Sequence, residues 1–173
     1  MSSGRRIIEI PVEKKIARVL RHRGLTVTTA ESCTGGLIAG TLVNVDGISE
    51  VYREGYVTYS NEAKMRLLGV KEETLEAYGA VSRQTAKEMA EGAARAAGTE
   101  VAIAVTGIAG PGGGSKEKPV GLVFIGCTVC GKTIVKRCFY GGDRQSIRHA
   151  AAREALEILY CQILVPEDAG EGR

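Results

Sequence analysis

The chain has 173 residues, 44% hydrophobic and 25% charged, so its composition supports one domain with a buried core and excludes a disordered or fibrous protein. Its net charge of +3 is the small difference between 23 Lys and Arg and 20 Asp and Glu residues spread along the chain, which gives nucleic-acid binding no support. No apolar run approaches the roughly 18 residues of a membrane-spanning helix, and residues 1–15 lack the apolar stretch of a secretory signal, so neither a membrane protein nor an exported one is predicted.

In the first half of the chain, predicted helices alternate with short predicted strands, and glycines or capping residues mark their ends. The predicted elements are a helix over 11–23, a strand over 25–30, a turn over 31–36, a helix over 37–44, a strand over 55–59 and a helix over 61–68. Pro11 begins the first helix, and Gly24 follows its basic last turn. Ser60 or Asn61 can cap the third helix, which ends before Gly69.

The second half continues this alternation and then changes to a hairpin. Its predicted elements are a helix over 83–97 capped by Ser82, a strand over 101–105, a glycine-rich loop over 106–115, hairpin strands over 121–129 and 133–140, and a last helix from the cap Asp143 to the residue before Pro166. The run Val101–Val105 is apolar throughout, which is typical of a strand buried on both faces.

Together these elements predict the α/β class. We expect a single layered α/β/α domain over residues 8–165, with a mixed, mostly parallel sheet and a C-terminal β-hairpin followed by a long helix. Residues 166–173 are predicted to be a disordered tail. In such sheets the loops at the carboxyl ends of the strands hold the ligand, and three loops have that position here: 31–36, 60–64 and 106–115.

A short pattern in the hairpin is misleading. Residues 126–133 match the phosphate-loop pattern G-x-x-x-x-G-K-T letter for letter, but that motif requires a preceding strand and a following helix. The β-branched residues after Lys132 predict a returning strand, which places Lys132 at a hairpin tip. Nucleotide-triphosphate binding is therefore not expected from these residues.

The cysteines indicate neither a metal site nor a disulfide framework. Cys127 and Cys130 have a paired spacing, but the remaining cysteines and histidines do not supply the second pair of a structural zinc site, so no metal is expected. Five cysteines, an odd number in a chain without an export signal, favour reduced thiols and a cytoplasmic location.

Ser32 lies in the predicted strand-to-helix turn, and its local pattern leaves two roles open. As a nucleophile, it would be followed by the amides of Cys33, Thr34 and Gly35, which are unpaired at a helix N-terminus and could stabilise an oxyanion. As a structural residue, it would only cap the helix, a position in which serine is common.

Lys64 lies in the first turn of a predicted helix, where its charge opposes the helix dipole. That position, with any burial, lowers the pKa of the ammonium group and gives the neutral amine that a general base requires. Lys64 and Ser32 could then form a catalytic pair. The alternative is an exposed lysine of the kind that surface helices carry routinely.

Five segments of the chain form a recognisable series. They are TVTTAESCTGG (26–36), GYVTYSNEAK (55–64), GAVS (79–82), TGIAGPGGGSKEKPVG (106–121) and GGDR (141–144). In this order they resemble the CinA C-terminal domain family, the nicotinamide-nucleotide amidohydrolases also called PncC, over about residues 8–163. The resemblance implies hydrolysis of the carboxamide of nicotinamide mononucleotide to nicotinate mononucleotide and ammonia, in pyridine-nucleotide recycling. It implies no metal or redox cofactor. Many members also carry an N-terminal pyrophosphatase-type domain, for which 173 residues leave no room, so we expect a stand-alone form.

The resemblance also implies roles for individual residues. Ser32 would be the nucleophile, Lys64 its base and Tyr59 a helper near both. The substrate-binding residues that it implies are Thr34, Gly35, Gly36, Ser49, Asn61, Thr106, Gly107, Gly110, Gly113, Ser115 and Arg144.

Two parts of that set would bind the ribose phosphate. The glycine-rich loop with Thr106 and Ser115 would approach the phosphate with bare backbone amides, and Arg144 at the head of the last helix would be a phosphate partner. The expected partner is thus a small-molecule nucleotide, with no nucleic acid and no membrane. Apolar helix faces favour a homo-oligomer.

Three points stay open from the sequence. Where the family commonly has two consecutive serines, this chain has Ile48 and Ser49. Cys33 is a second candidate nucleophile, with Lys64 and Glu31 in an arrangement that unrelated nitrilases use. A function of another class is a nucleotide-binding or interaction module without turnover, because the family's name records a link to competence and DNA damage.

Overall fold

The computed structural model describes residues 10–165, so the predictions for residues 8–9 and for the tail 166–173 lie outside the described part. Its elements are α1 (Val12–Arg23), β1 (Val27–Glu31), α2 (Leu37–Leu42), β2 (Tyr52–Val57), α3 (Asn61–Leu68), α4 (Glu72–Tyr78), α5 (Arg83–Ala97), β3 (Val101–Gly107), β4 (Leu122–Val129), β5 (Lys132–Phe139) and α6 (Arg144–Leu164). A short 3₁₀ turn, Ile48–Glu50, precedes β2.

The five strands form one mixed sheet in the order β2-β1-β3-β4-β5. β1 pairs in parallel with β2 and with β3, whereas β4 is antiparallel to both β3 and β5. The carboxyl ends of β1, β2 and β3 therefore share one edge of the sheet. The predicted fold class, an α/β layered domain with a C-terminal hairpin and a long last helix, is confirmed.

Helices cover both faces of the sheet, and β3 shows why the two faces differ. Val101, Ile103 and Val105 belong to the core that α1, α2 and α6 complete. Ala102 and Ala104 point the opposite way, into a second core formed with α3, α4 and α5. Because the second face carries small side chains, α5 approaches the sheet closely.

A glycine in α5 lets α3 pack closely against that helix. Gly92 in α5 faces the last turn of α3, and a Cβ atom added there would lie 1.8 Å from the carbonyl oxygen of Leu68. No side chain fits in that space. The position of α3 relative to the sheet therefore depends on the absence of a side chain at Gly92.

The hairpin is confirmed, and the phosphate-loop reading of residues 126–133 has no structural support. Cys130 (φ 47°) and Gly131 (φ 79°) form the turn in the left-handed region, as two-residue hairpins require. β5 begins at Lys132, so a strand and not a helix follows the pattern. Gly126, the first glycine of the pattern, serves packing: a Cβ there would lie 2.4 Å from the Ala86 carbonyl oxygen of α5.

Several boundaries differ from the predictions. The strand predicted over 55–59 is observed over Tyr52–Val57, because β2 is an edge strand whose exposed Arg53 and Glu54 give it no apolar alternation. α2 ends at Leu42, before the predicted residue 44, and α4 has no predicted counterpart. β3 continues to Gly107, so two residues assigned to the glycine-rich loop belong to the strand.

Candidate active site

Ser32 and Lys64 are in hydrogen-bond contact at the shared carboxyl edge. The Lys64 Nζ atom donates to Ser32 Oγ over 3.1 Å and to the carbonyl oxygen of Thr58 over 2.7 Å. Ser32 directly follows β1, and its amide donates to the Val105 carbonyl of β3 over 2.9 Å. The structure thus brings together the two residues that the sequence offered as a catalytic pair.

The local sequence around Lys64 explains this position. The Thr58 amide donates to the Glu31 carbonyl over 2.9 Å, which extends the pairing of β1 and β2 to the point where both chains leave the sheet. Ser60 caps α3, since its Oγ accepts a hydrogen bond from the Ala63 amide over 3.1 Å. α3 therefore starts immediately beyond β2, and Lys64 lies in its first turn, facing the end of β1.

Burial changes the acid–base behaviour of Lys64. The side chain is only 1% exposed, and among the ion pairs between described residues none involves Lys64. Burial disfavours the ammonium form and lowers the pKa of Lys64 from its ordinary value of 10.5 to about 8. The neutral amine is therefore available near neutral pH, and the reading of Lys64 as an exposed surface lysine is wrong.

The turn that carries Ser32 is held by the preceding residue. The buried Glu31 carboxylate accepts hydrogen bonds from the amides of Gly36, Ile38 and Ala39 at 2.8 to 3.1 Å. These amides belong to the N-terminal end of α2, where a negative charge is favourable. Glu31 therefore stabilises the start of the helix and fixes the turn between it and β1.

Ser32 is not the N-cap of α2, because that position belongs to Gly36. The amide of Gly35 donates to the Ser32 carbonyl over 3.1 Å, so the expectation that it is unpaired is wrong. Within residues 10–165, the amides of Cys33 and Thr34 donate no hydrogen bond to another residue. Those two amides are the ones left for an oxyanion.

Cys33, the second candidate nucleophile, lies beside Ser32. Its side chain is buried, and burial raises the pKa of the thiol to about 11. The carboxylate of Glu31 is occupied by the amides of α2, and Lys64 contacts the hydroxyl of Ser32. These contacts favour Ser32 over Cys33 as the group that Lys64 activates.

Tyr59 and Arg144 meet above the same edge. The Arg144 guanidinium donates to the Tyr59 hydroxyl over 2.9 Å and to the carbonyl oxygen of Gly110 over 2.7 Å. Arg144 begins α6 and Gly110 lies in the glycine-rich loop, so three separate segments converge here. The Tyr59 side chain is 64% exposed, and its hydroxyl contacts Arg144 rather than Ser32 or Lys64.

The remaining residues of the glycine-rich segment have mostly structural contacts. The Thr106 hydroxyl is buried in β3 and donates a hydrogen bond to the Ala80 carbonyl over 2.7 Å. The Ser115 hydroxyl accepts from the Lys118 amide and contacts the Glu117 carboxylate, both over 3.0 Å. Gly107 ends β3, and Gly113 is exposed in the loop.

The other predicted binding residues fall in three different places. Thr34 is fully buried, and its hydroxyl has no hydrogen-bond partner among the described residues. Asn61 is exposed at the first position of α3, at the same edge as Ser32. Gly35 (φ 61°) and Gly36 (φ 98°) form the turn before α2 in left-handed conformations that favour glycine.

Ser49 is not brought to this edge. It lies in the 3₁₀ turn before β2, and β2 begins beside Val27 at the amino end of β1. A strand of that length separates the two edges by about 16 Å, at about 3.3 Å per residue. Within one copy of the chain, Ser49 therefore lies far from Ser32, and the direction of β2 is the reason.

Sequence reasoning missed Arg148. From α6, its Nε donates to the Cys33 carbonyl over 3.1 Å and its Nη2 to the Thr34 carbonyl over 2.8 Å. The available signal was its spacing: Arg148 follows Arg144 by one helical turn and so points to the same side of α6.

Within residues 10–165, no group of three or more His, Cys, Asp or Glu side chains is placed to hold a metal ion. Across the same residues, no helix is long and apolar enough to cross a membrane.

Comparisons with known proteins show the family of the chain. A family model described as "CinA C-terminal domain" matches residues 9–163. A "CinA-like protein" of Kosmotoga olearia is 56% identical over 151 residues, which cover 87% of this chain and 37% of that protein. The chain thus spans about 37% of the length of that curated relative.

Solved structures share both the fold and much of the sequence. The competence/damage inducible protein CihA of Agrobacterium tumefaciens is 47% identical with a TM-score of 0.82, covering 95% of this chain and all of that one (100%). A CinA superfamily protein of Klebsiella pneumoniae is 37% identical with a TM-score of 0.85, covering 88% of this chain and 96% of that one.

Proposed function

Because the chain belongs to the CinA C-terminal domain family, we propose that it is an amide hydrolase that converts nicotinamide mononucleotide to nicotinate mononucleotide and ammonia. One observation carries the catalytic part: the buried 3.1 Å contact between Lys64 Nζ and Ser32 Oγ. The substrate follows from the sequence resemblance described above. The name of the Agrobacterium tumefaciens relative refers to competence and damage, and neither it nor the name of the Kosmotoga olearia relative states a reaction.

The contacts support a Ser-Lys mechanism. Neutral Lys64 accepts the proton of the Ser32 hydroxyl while Ser32 Oγ attacks the carboxamide carbon. In this proposal the amides of Cys33 and Thr34, which donate no hydrogen bond to another described residue, stabilise the oxyanion. The Lys64 ammonium then gives its proton to the leaving nitrogen, and ammonia departs as the acyl ester forms. Water hydrolyses this ester, with Lys64 again taking a proton, and releases the carboxylate product.

The ribose phosphate is proposed to bind where Arg144 meets the glycine-rich loop. Arg144 is fixed there by Tyr59 and by the Gly110 carbonyl, and guanidinium groups bind phosphate through paired donors. In this arrangement Tyr59 acts through Arg144. No metal or redox cofactor takes part in the proposed reaction, and we expect a homo-oligomer in the cytoplasm.

The test is to measure ammonia and nicotinate mononucleotide after purified protein is incubated with nicotinamide mononucleotide. Equal amounts of both products support the proposal, and binding without product formation would support the alternative of a nucleotide-binding or interaction module. Cys33→Ala is the matched control for the neighbouring nucleophile. We expect this variant to retain activity, because burial keeps the Cys33 thiol protonated.

A further inference from the structure

Arg148 of α6 contacts the turn over residues 32–36, here called the Ser32 turn. The hydrogen bonds that it makes there go to backbone atoms of the turn. Its two hydrogen bonds, to the Cys33 and Thr34 carbonyls, come from different nitrogens of one planar guanidinium group. The residue is partly buried, and it reaches the turn from the second turn of α6. α6 is therefore attached directly to the residues that follow Ser32.

These two bonds fix the orientation of two peptide groups. In a trans peptide, the carbonyl of one residue and the amide of the next point in opposite directions. With the Cys33 carbonyl facing Arg148, the Thr34 amide faces away from α6. With the Thr34 carbonyl also facing Arg148, the Gly35 amide turns toward the Ser32 carbonyl, which it contacts over 3.1 Å.

Gly35 leaves the space that Arg148 uses. A Cβ atom at Gly35 would lie 3.3 Å from Arg148 Nη2, and its φ of 61° favours glycine. From the other side, Glu31 holds the end of the turn through the Gly36 amide. The turn is thus held by a carboxylate on its amides and by a guanidinium on its carbonyls.

We propose that Arg148 is a positioning residue that, through the Cys33 carbonyl, keeps the Thr34 amide directed at the oxyanion. The inference rests on the proposed function. Arg148 acts through the peptide groups of Cys33 and Thr34, so its loss reduces stabilisation of the transition state and leaves substrate binding largely unchanged. A residue that merely joins α6 to the turn would affect stability and all kinetic parameters together.

The experiment compares Arg148→Met and Arg148→Lys with Arg153→Met as the matched control. Arg153 lies on the same helix, is exposed and pairs with Glu157. For Arg148→Met we expect kcat to fall about 100-fold, as for the loss of one oxyanion donor, with KM changed less than about threefold. Arg148→Lys, with one donor group in place of a fork, should recover part of the loss. Arg153→Met should match the unaltered protein.

Two further readouts separate this inference from the proposed function. A fluorophosphonate probe transfers its phosphonyl group to the Ser32 oxygen and releases fluoride, so labelling reports on Ser32 without the nucleotide substrate. Unaltered protein that neither labels at Ser32 nor releases ammonia would contradict the proposed function, and the inference with it. Labelling in the unaltered protein and at the same rate in Arg148→Met would overturn the inference alone.

The pH dependence of labelling distinguishes a positioning role of Arg148 from a general structural role. Lys64 owes its lowered pKa to burial, and Arg148 does not contact it, so the midpoint near pH 8 should stay in place in Arg148→Met while the rate falls. A shifted midpoint, or equal changes in kcat and KM, would show that Arg148 supports the whole site rather than the Thr34 amide.

Discussion

Lys64 and Lys132 both lie close to glycine or serine turns beside a strand, and they differ in burial and in the element to which they belong. Lys132 completes a phosphate-loop pattern letter for letter, yet it is exposed at the start of β5 in a hairpin. Lys64 belongs to no phosphate-loop pattern, yet it is buried against Ser32 with a lowered pKa. The contrast teaches that the element following a motif, and the burial it creates, decide what a lysine can do.

The largest expected effect is at the nucleophile that makes Lys64 functional. Ser32→Ala should lower deamidation of nicotinamide mononucleotide by about 10,000-fold, because the attacking oxygen is lost. Nicotinate mononucleotide should still bind, since the hydroxyl contributes little to holding the phosphate. A turnover assay checks the loss of deamidation, and calorimetry checks the binding of the product. Turnover near that of the unaltered protein would remove Ser32 from the reaction.

Replacement of Lys64 by another cationic residue should not preserve activity. Both Lys64→Arg and Lys64→Met should lose activity by about 1,000-fold, because a guanidinium stays protonated at working pH and cannot accept the Ser32 proton. In the unaltered protein, kcat/KM should rise with pH through about 8 and then level off, as the amine becomes neutral. Activity retained by Lys64→Arg would mean that the positive charge is what counts.

Burial of Lys64 should also make the free energy of unfolding depend on pH. The folded chain releases the Lys64 proton near pH 8 and the unfolded chain near 10.5, so the unfolded state binds more protons between these values and the free energy of unfolding rises with pH there. Lys64→Met should lack this rise and be about 2 kcal/mol more stable at pH 7, as relief of charge burial exceeds the loss of two hydrogen bonds. Urea unfolding at pH 7 and pH 10 tests this. A Lys64→Met protein that keeps the rise would place the titration elsewhere.

Arg144 should contribute to phosphate binding. Arg144→Ala should weaken nicotinate mononucleotide about tenfold, or about 1.4 kcal/mol, and reduce the shift in melting temperature that this product produces. Nicotinate riboside, which lacks the phosphate, is the control ligand. An equal loss for both ligands would assign Arg144 to loop structure through its Gly110 contact.

The smallest expected effect is at the other lysine. Lys132→Ala should change the free energy of unfolding by no more than about 0.5 kcal/mol, because the position is exposed at a hairpin turn. ATP with magnesium should not raise the melting temperature of either protein. A shift with ATP that disappears in Lys132→Ala would restore the phosphate-loop reading and overturn the comparison.

General rules of sequence predicted much of this fold. The caps Ser60, Ser82 and Asp143 each accept the expected amide hydrogen bond, and the apolar run of β3 is buried as predicted. The cap at Ser60 is also what places Lys64 in a first turn. β2 was harder to delimit, because an edge strand buries too little to show alternation.

The parts of the site that could not be predicted depend on backbone atoms and on the direction of a strand. Arg148 acts on carbonyl oxygens, which have no side-chain signature in a sequence. Ser49 precedes β2 and so lies at the amino edge, which a series of motifs cannot reveal without the direction of the strand. The contact of Lys64 with Ser32 depends on how closely α3 approaches the sheet, a tertiary quantity.

That approach has a consequence for anyone who wishes to redesign the protein. A methyl group at Gly92 would meet the Leu68 carbonyl, so α3 would have to retreat from α5, and Lys64 would move with its helix. In a random library screened for new substrates, variants with a substitution at Gly92 would therefore be inactive. Gly92 itself touches neither Ser32 nor the proposed phosphate site. Gly92 is best kept constant in such libraries, because a variant there is inactivated by misalignment of an intact pair.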